Sequence, residues 1–392
     1  MSKWPLMRLG DVCEINPPKQ QMLDMFEGKE VSFVSMSSVD ENGNINVSDI
    51  RPFSDVSNGY SYFIENDVLF AKITPCMENG KGAIARGLKN GIGVGSTEFH
   101  ILRANEEKIT SEWIYRFLSL PRIRKLAEKN MIGSAGQKRV PKSFLENVKI
   151  PLPPLNVQKN ITNILDKTQE IIDGYKKQLA ELDNLIRAVF YEMFGDPLIN
   201  DKGWVTVLLK EVLLNIKYGT STPPNFSDTG YKFIRATNIK NGRIVEEDMK
   251  FISGEEGLKF KKCRIYENEM IIVRSGVNAG DTCVITSEYS GHYAGYDLIL
   301  TFDQYKVDPV FVNELFNTNY MDIVIKPLTR RAAQPHLNLE QVQTLRIILP
   351  PLDLQNKFTD IVTKIEEQKT LVKQAITESE HLFNSLMSEY FD

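Results

Sequence analysis

Two stretches of the chain carry their apolar residues at alternating spacings of four and three. The first runs through Ile161, Leu165, Thr168, Ile172, Tyr175, Leu179, Leu182, Ile186, Val189 and Met193. The second runs through Phe358, Val362, Ile365, Lys369, Val372, Ile376, Ser379, Phe383, Leu386 and Tyr390, each 197 residues after its counterpart. A period of 3.5 residues held over more than four heptads predicts coiled-coil helices. The plainer alternative is a pair of amphipathic helices, each packed on its own lobe. Thr168, Lys369 and Ser379 are polar seam positions, suited to setting register or partner choice. Each stretch follows a Pro-Pro pair, with Asn156 and Asp353 where an N-cap is expected. A helix over 157–194 would be about 57 Å long, and Gly195-Asp196-Pro197 would stop it.

The segments before these helices are about 150 residues each and read differently. Short β-rich runs at 31–39, 68–73 and 270–274 alternate with turns rich in Gly, Asn and Ser. Helical patterns follow near 111–129 and 309–325. The two segments also resemble each other. Trp4, Leu9, Asp11 and Val12 are answered 200 residues on by Trp204, Leu209, Glu211 and Val212. Phe33 to Val39 is answered by Phe233 to Ile239, and Glu65 to Lys72 by Glu267 to Arg274. Pro153-Pro154-Leu155 with Gln158 returns as Pro350-Pro351-Leu352 with Gln355. Four matched blocks in one order define an internal duplication.

The predicted layout is a first lobe at 1–153, a helix at 154–195, a second lobe at 196–350 and a second helix at 351–392. Connectivity then fixes a geometry. The first helix leads away from its lobe and the second starts at the far end, so paired seams must run antiparallel. The expected fold class is α+β: two similar mixed α/β lobes separated by two long helices in an antiparallel coiled coil with pseudo-two-fold symmetry.

Composition narrows the function. Hydrophobic residues are 42% and charged residues 25% of 392, a globular balance. The net charge of −4 argues against nucleic-acid binding through bulk positive charge. The acidic excess is local: 151–199 holds five basic and seven acidic residues and 350–392 holds four and eight, whereas 200–349 is balanced. Any polyanion contact must therefore be local too. Cys13, Cys76, Cys263 and Cys283 are far apart, with no disulfide or zinc spacing, which suits a reducing cytoplasm. The first residues do not read as a signal peptide, and no run of 18 apolar residues predicts a membrane span.

Catalytic motifs do not emerge. Asn16-Pro17-Pro18-Lys19 is similar to the Asn-Pro-Pro-aromatic loop of amino methyltransferases, but Lys19 cannot stack on a flipped base. The glycines at 91, 93 and 95 lack the GxGxxG spacing. Glu106-Glu107-Lys108 has no evident acidic partner. His100, His292, His336 and His381 show no metal-binding spacing. The chain reads as non-catalytic.

Paired lobes suit a target that itself has two halves. Duplex DNA qualifies, because two-lobed readers contact half-sites roughly 34–36 Å apart. Candidate contacts in the first lobe are Lys72, Thr74, Asn79 and Lys81 on one loop and Gln137, Lys138 and Arg139 on another. In the second lobe they are Arg235, Asn238, Arg274, Ser275 and Asn278, with Arg330, Arg331 and Gln334 further on. Arg reads guanine and Asn or Gln reads adenine in the major groove, and neighbouring glycines permit close approach to phosphate. The competing reading is a coiled-coil scaffold that does not bind DNA.

The duplicated W-x-x-x-x-L-x-[DE]-V opening, the lysine-bearing loop, the Pro-Pro-Leu-x-x-Gln junction and the seam helix together resemble the specificity subunit of Type I restriction–modification systems. The resemblance covers essentially the whole chain. It implies two target-recognition domains that read the halves of a bipartite DNA sequence, with the helices as ruler and docking site for two modification subunits. Those partners would carry S-adenosylmethionine and methylate adenine, and separate restriction subunits would translocate and cut. This chain would hold no cofactor. The family often has Glu-Gln after Pro-Pro-Leu-x, where Val157-Gln158 and Leu354-Gln355 stand here.

Overall fold

A computed structural model describes residues 3–19, 26–134, 136–329 and 336–391. The chain divides into two compact units, one of Met1–Tyr175 with Ala375–Asp392 and one of Lys176–Gln374. Each unit holds one lobe together with a segment of both long helices, Leu155–Phe194 and Leu352–Phe391.

In the first unit, Cys13–Ile15, Phe99–Ala104, Val68–Ala71 and Gly82–Ile84 form an antiparallel sheet in that order. Alternation along Val68–Ala71 explains its central place. Val68 and Phe70 face a core with Trp113, Phe117, Ile161 and Leu165. Leu69 and Ala71 face the opposite core with Val34, Phe63, Phe99 and Ile101. That second core lies against another four-stranded sheet, ordered Ile50–Pro52, Glu30–Val34, Ile92–Gly95 and Ser61–Ile64, with one parallel pair in its middle. A strand pair, Leu6–Arg8 with Lys149–Pro151, brings the opening of the lobe beside the start of the first long helix.

The second unit repeats this plan. Leu213–Tyr218, Leu298–Phe302, Met270–Ile272 and Thr282–Val284 take the same order. Thr206–Leu208 pairs with Arg346–Ile348 as the equivalent clip. Its other sheet differs at both edges. It gains a strand at Phe226–Ser227, and the counterpart of Ser61–Ile64 shrinks to a single bridge between Arg264 and Tyr293.

The long helices run antiparallel within each unit. In the second, Phe190 and Phe194 pack on Phe358 while Asp183 bonds Lys369, so residue numbers rise on one helix as they fall on the other. In the first, Ile161 and Leu165 share a core with Met387 and Phe391. Of the seam residues, Ile161, Leu165, Ile172, Leu182, Ile186, Phe358, Val362, Ile365 and Val372 are buried. Tyr175, Leu179, Val189, Ile376, Phe383 and Leu386 are half-buried.

Two details depart from the heptad reading. In the final turns the buried face shifts by one residue, to Phe190 and Phe194 on the first helix and Met387 and Phe391 on the second. A straight helix drifts from a 3.5-residue repeat, and here the drift turns aromatic residues toward the lobe. Phe194 meets Phe311 at 4.8 Å, and Phe391 meets Trp113 at 4.3 Å. The helices also begin at Leu155 and Leu352, so Asn156 and Asp353 lie inside the first turn and are not N-caps.

The glutamine of each junction is fully buried. Gln158 Oε1 accepts from Thr110 N at 3.0 Å, and its Nε2 donates to Lys108 O and Pro153 O at 2.9 and 2.8 Å. Gln355 Oε1 accepts from Asp308 N at 2.9 Å and its Nε2 donates to Pro350 O at 2.7 Å. Each glutamine thus ties its long helix to the residue preceding a lobe helix, Ser111–Ser119 or Pro309–Phe316.

Candidate DNA interface

Strand Val68–Ala71 runs out into a loop that begins at Lys72 and returns at Gly82–Ile84. The tertiary fold joins this loop to a segment some 60 residues further on. Val140 N donates to Lys72 O at 2.9 Å and Thr74 N to Lys138 O at 3.0 Å, and Ile73 bridges Arg139. The two candidate loops of the first lobe therefore form one continuous surface. Asn79, Gln137 and Lys138 are exposed on it, and Lys72, Thr74 and Lys81 are half-buried.

Several of these side chains are held by neighbours. Arg139 forms a two-pronged pair with Glu98, at 2.9 and 2.8 Å, which holds the Glu98 carboxyl below its usual range. Burial lowers the Lys72 ammonium from its ordinary value, with Arg139 adding and Glu98 opposing. The Thr74 hydroxyl donates to Glu78, and Lys81 Nζ lies 3.4 Å from Met36 O. Beneath the loop sits Arg124, buried on helix Pro121–Lys129. Its guanidinium donates to Met77 O, Lys81 O and Gly80 O at 3.2, 3.3 and 3.0 Å and stacks over Phe70. Burial lowers its pKa to about 10, which leaves it charged at neutral pH.

The second lobe builds the same place with other residues. Leu337 N donates to Arg274 O at 2.8 Å and Ser275 bridges His336, as Val140 and Arg139 do in the first lobe. The Arg274 guanidinium lies between the rings of Tyr218 and Tyr296, 4.5 and 4.3 Å from their centres. Its Nη2 is 2.8 Å from His336 Nε2, and His336 Nδ1 is 2.9 Å from Ser275 Oγ. Burial and the adjacent Arg274 lower the His336 pKa. A neutral imidazole accepting at Nε2 carries its proton on Nδ1, which then donates to Ser275. Asp297 Oδ1 accepts from Arg274 N at 3.1 Å. Burial raises this carboxyl to about 6, against the pull of Arg274.

Of the remaining sequence candidates, Asn278 donates to Ala236 O at 3.2 Å, and Arg235 pairs with Asp248 at 3.0 Å. Asn238 is a correction. It is wholly buried, its Oδ1 accepting from Arg235 N and its Nδ2 bonding Val245 O and Glu247 O. An amide with both ends engaged inside the lobe has nothing to offer a base edge. Arg330, Arg331 and Gln334 lie outside the described residues. Sequence reading missed Arg124 and His336. Only the alignment of the duplicated halves, which sets His336 against Arg139 at 197 residues, could have pointed to the histidine.

Among the described residues no His, Cys, Asp and Glu group is placed to hold a metal, and no helix is long and apolar enough to cross a membrane. His100 and His292 serve the fold: His100 Nε2 lies 2.8 Å from Val140 O, and His292 Nδ1 accepts from Lys232 N at 3.0 Å.

The chain is thus a duplicated α+β protein in which each unit carries one lobe, an equivalent loop pair and a segment of both long helices. The chain matches the Type I restriction modification DNA specificity domain over residues 1–184 and again over 201–381, and it belongs to that family. It is 40% identical over 182 residues to the EcoAI specificity subunit of a Type I restriction enzyme from Escherichia coli and 37% identical over 182 residues to the EcoEI specificity subunit. Each match covers 46% of this chain but only 30% of the relative. In fold the chain is similar to the S subunit of a Type-I restriction-modification system from M. genitalium, with a TM-score of 0.60 at 13% identity, over 100% of this chain and 96% of that one.

Proposed function

We propose that this chain is the sequence-specificity subunit of a Type I restriction–modification assembly, each lobe reading one half of a bipartite duplex target. The observation that carries this reading is the repeated loop pair. The sheet that bears it has the same strand order in both lobes, while the side chains on the loops differ: Lys72, Asn79, Gln137 and Arg139 in one, Arg274, Ser275, Asn278 and His336 in the other. A shared frame with different polar ends suits two different half-sites.

The continuous helices suit the spacer between half-sites, since each has 40 residues and is about 60 Å long. Their exposed faces would dock two modification subunits, which bring S-adenosylmethionine and methylate adenine. Restriction subunits would translocate and cleave. This chain would contribute recognition, take no part in bond-making and work in the cytoplasm. The test is methylome sequencing of a host with and without the chain, together with a variant carrying a foreign 1–153. The expected outcome is a bipartite methylated motif that depends on the chain and changes in one half on exchange. Loss of the chain without any change in methylation, or alteration of both halves on exchange, would overturn the proposal.

A further inference from the structure

The loop after Met270–Ile272 displays one apolar side chain wholly in solvent. Val277 is 102% exposed, between Ser275 and Asn278. Single exposed apolar residues are ordinary on protein surfaces. This one stands on a loop that is fastened on each side of it. Leu337 N holds Arg274 O, His336 holds Ser275, and Asn278 Nδ2 holds Ala236 O. Gly280 N donates to Val273 O at 2.7 Å. Gly280 has a φ of +103°, and a Cβ there would lie 2.9 Å from Ile325 and 3.2 Å from Met321, so the base of the loop is seated on the helical turn Met321–Ile325. Val277 is therefore presented in a set place, among groups suited to polar base edges.

The apolar feature on a base edge in the major groove is the 5-methyl group of thymine. We propose that Val277 is a specificity-determining residue of the second lobe, packing against the 5-methyl group of a thymine in its half-site. This rests on the DNA-reading function proposed above. The corresponding loop of the first lobe is two residues longer; Met77 on it is fully buried, and the exposed apolar residue there is a proline, Pro75. The inference is made for Val277 and the second half-site alone.

Removing the thymine methyl is a clean probe, since deoxyuridine keeps every base-pairing group. The experiment measures binding of the full chain, in complex with its modification subunits, to duplexes carrying the mapped motif. Each thymine of the second half-site is replaced in turn by deoxyuridine, with the parent and with Val277→Ala. At one thymine the replacement is expected to weaken the parent roughly fourfold. Val277→Ala is expected to lose a similar factor on the natural duplex and to be indifferent to the replacement at that position. Specific binding in which no thymine shows this coupling, or a half-site without thymine, overturns the inference and leaves the proposed function standing. Absence of any sequence-specific binding would remove both.

Discussion

Lys369 Nζ lies 2.6 Å from Asp183 Oδ1, so a lysine at a coiled-coil seam position joins the two long helices inside the second unit. The same ammonium is 2.8 Å from Glu366, and Glu366 reaches Arg243, which in turn pairs with Glu314 at 2.6 Å. A chain of alternating charges thus runs from the first helix through the second and into the lobe. At the equivalent place on the first helix the residue is Ile172, buried and apolar.

Lys369 is buried, but Asp183 is exposed and Glu366 half-buried, so removing the lysine leaves carboxylates that water still reaches together with a gap in the seam. Lys369→Ala is therefore expected to destabilise the protein by about 1–2 kcal/mol. Lys369→Ile, which copies the other helix, should cost clearly less. Chemical denaturation of both variants checks the order, and an isoleucine variant as weak as the alanine one would show that the charges are indispensable there.

The junction glutamines make a second prediction. Gln158→Leu leaves Thr110 N, Lys108 O and Pro153 O without their buried partner. The expected loss is about 2–4 kcal/mol, with faster hydrogen exchange at the Thr110 amide. Gln158→Glu would press a buried carboxylate against Lys108 O and Pro153 O, so near neutral pH it should cost more than the leucine variant. An unprotected Thr110 amide in the parent protein would refute this account.

Arg124 supports the loop that follows Val68–Ala71 from inside, and on the proposed function that loop reads one half-site. Arg124→Met removes the donors to Met77 O, Gly80 O and Lys81 O while keeping volume. Base choice is expected to relax by on the order of tenfold in one half of the target and to stay strict in the other. Methylome sequencing reads both halves at once.

Arg274 makes the matching prediction for the other half. Lysine cannot stack between Tyr218 and Tyr296 as a planar guanidinium does. Arg274→Lys should cost about 1–3 kcal/mol of discrimination at one base pair of the second half-site. Uniform weakening over all sequences would instead mark Arg274 as a phosphate contact.

Asp297 gives a pH dependence. Its folded carboxyl is raised to about 6, above the unfolded value, so the folded state binds the extra proton between roughly pH 4 and 6. Stability from this group is present at the acid end and is lost as pH rises through that window. Asp297→Asn should match the parent near pH 4 and exceed it at pH 7 by on the order of 1–3 kcal/mol, as measured by denaturation across the range.

The amino-acid order alone determined the duplication, the α+β class and both long helices, because periodicity and repeated motifs are local properties that survive without coordinates. It marked Lys72 and Arg274 as loop residues for the same reason: each comes within two residues of the end of a buried strand. It could not join Lys72 to Val140, or Arg274 to His336, since hydrogen bonds across some 60 residues depend on how the sheets stack. It placed Asn238 among the binding residues because an asparagine in a turn reads alike whether its amide faces water or the lobe interior. Only packing turned that side chain inward, and only packing moved the buried stripe of each helix onto Phe194 and Phe391, where Phe311 and Trp113 wait to receive them.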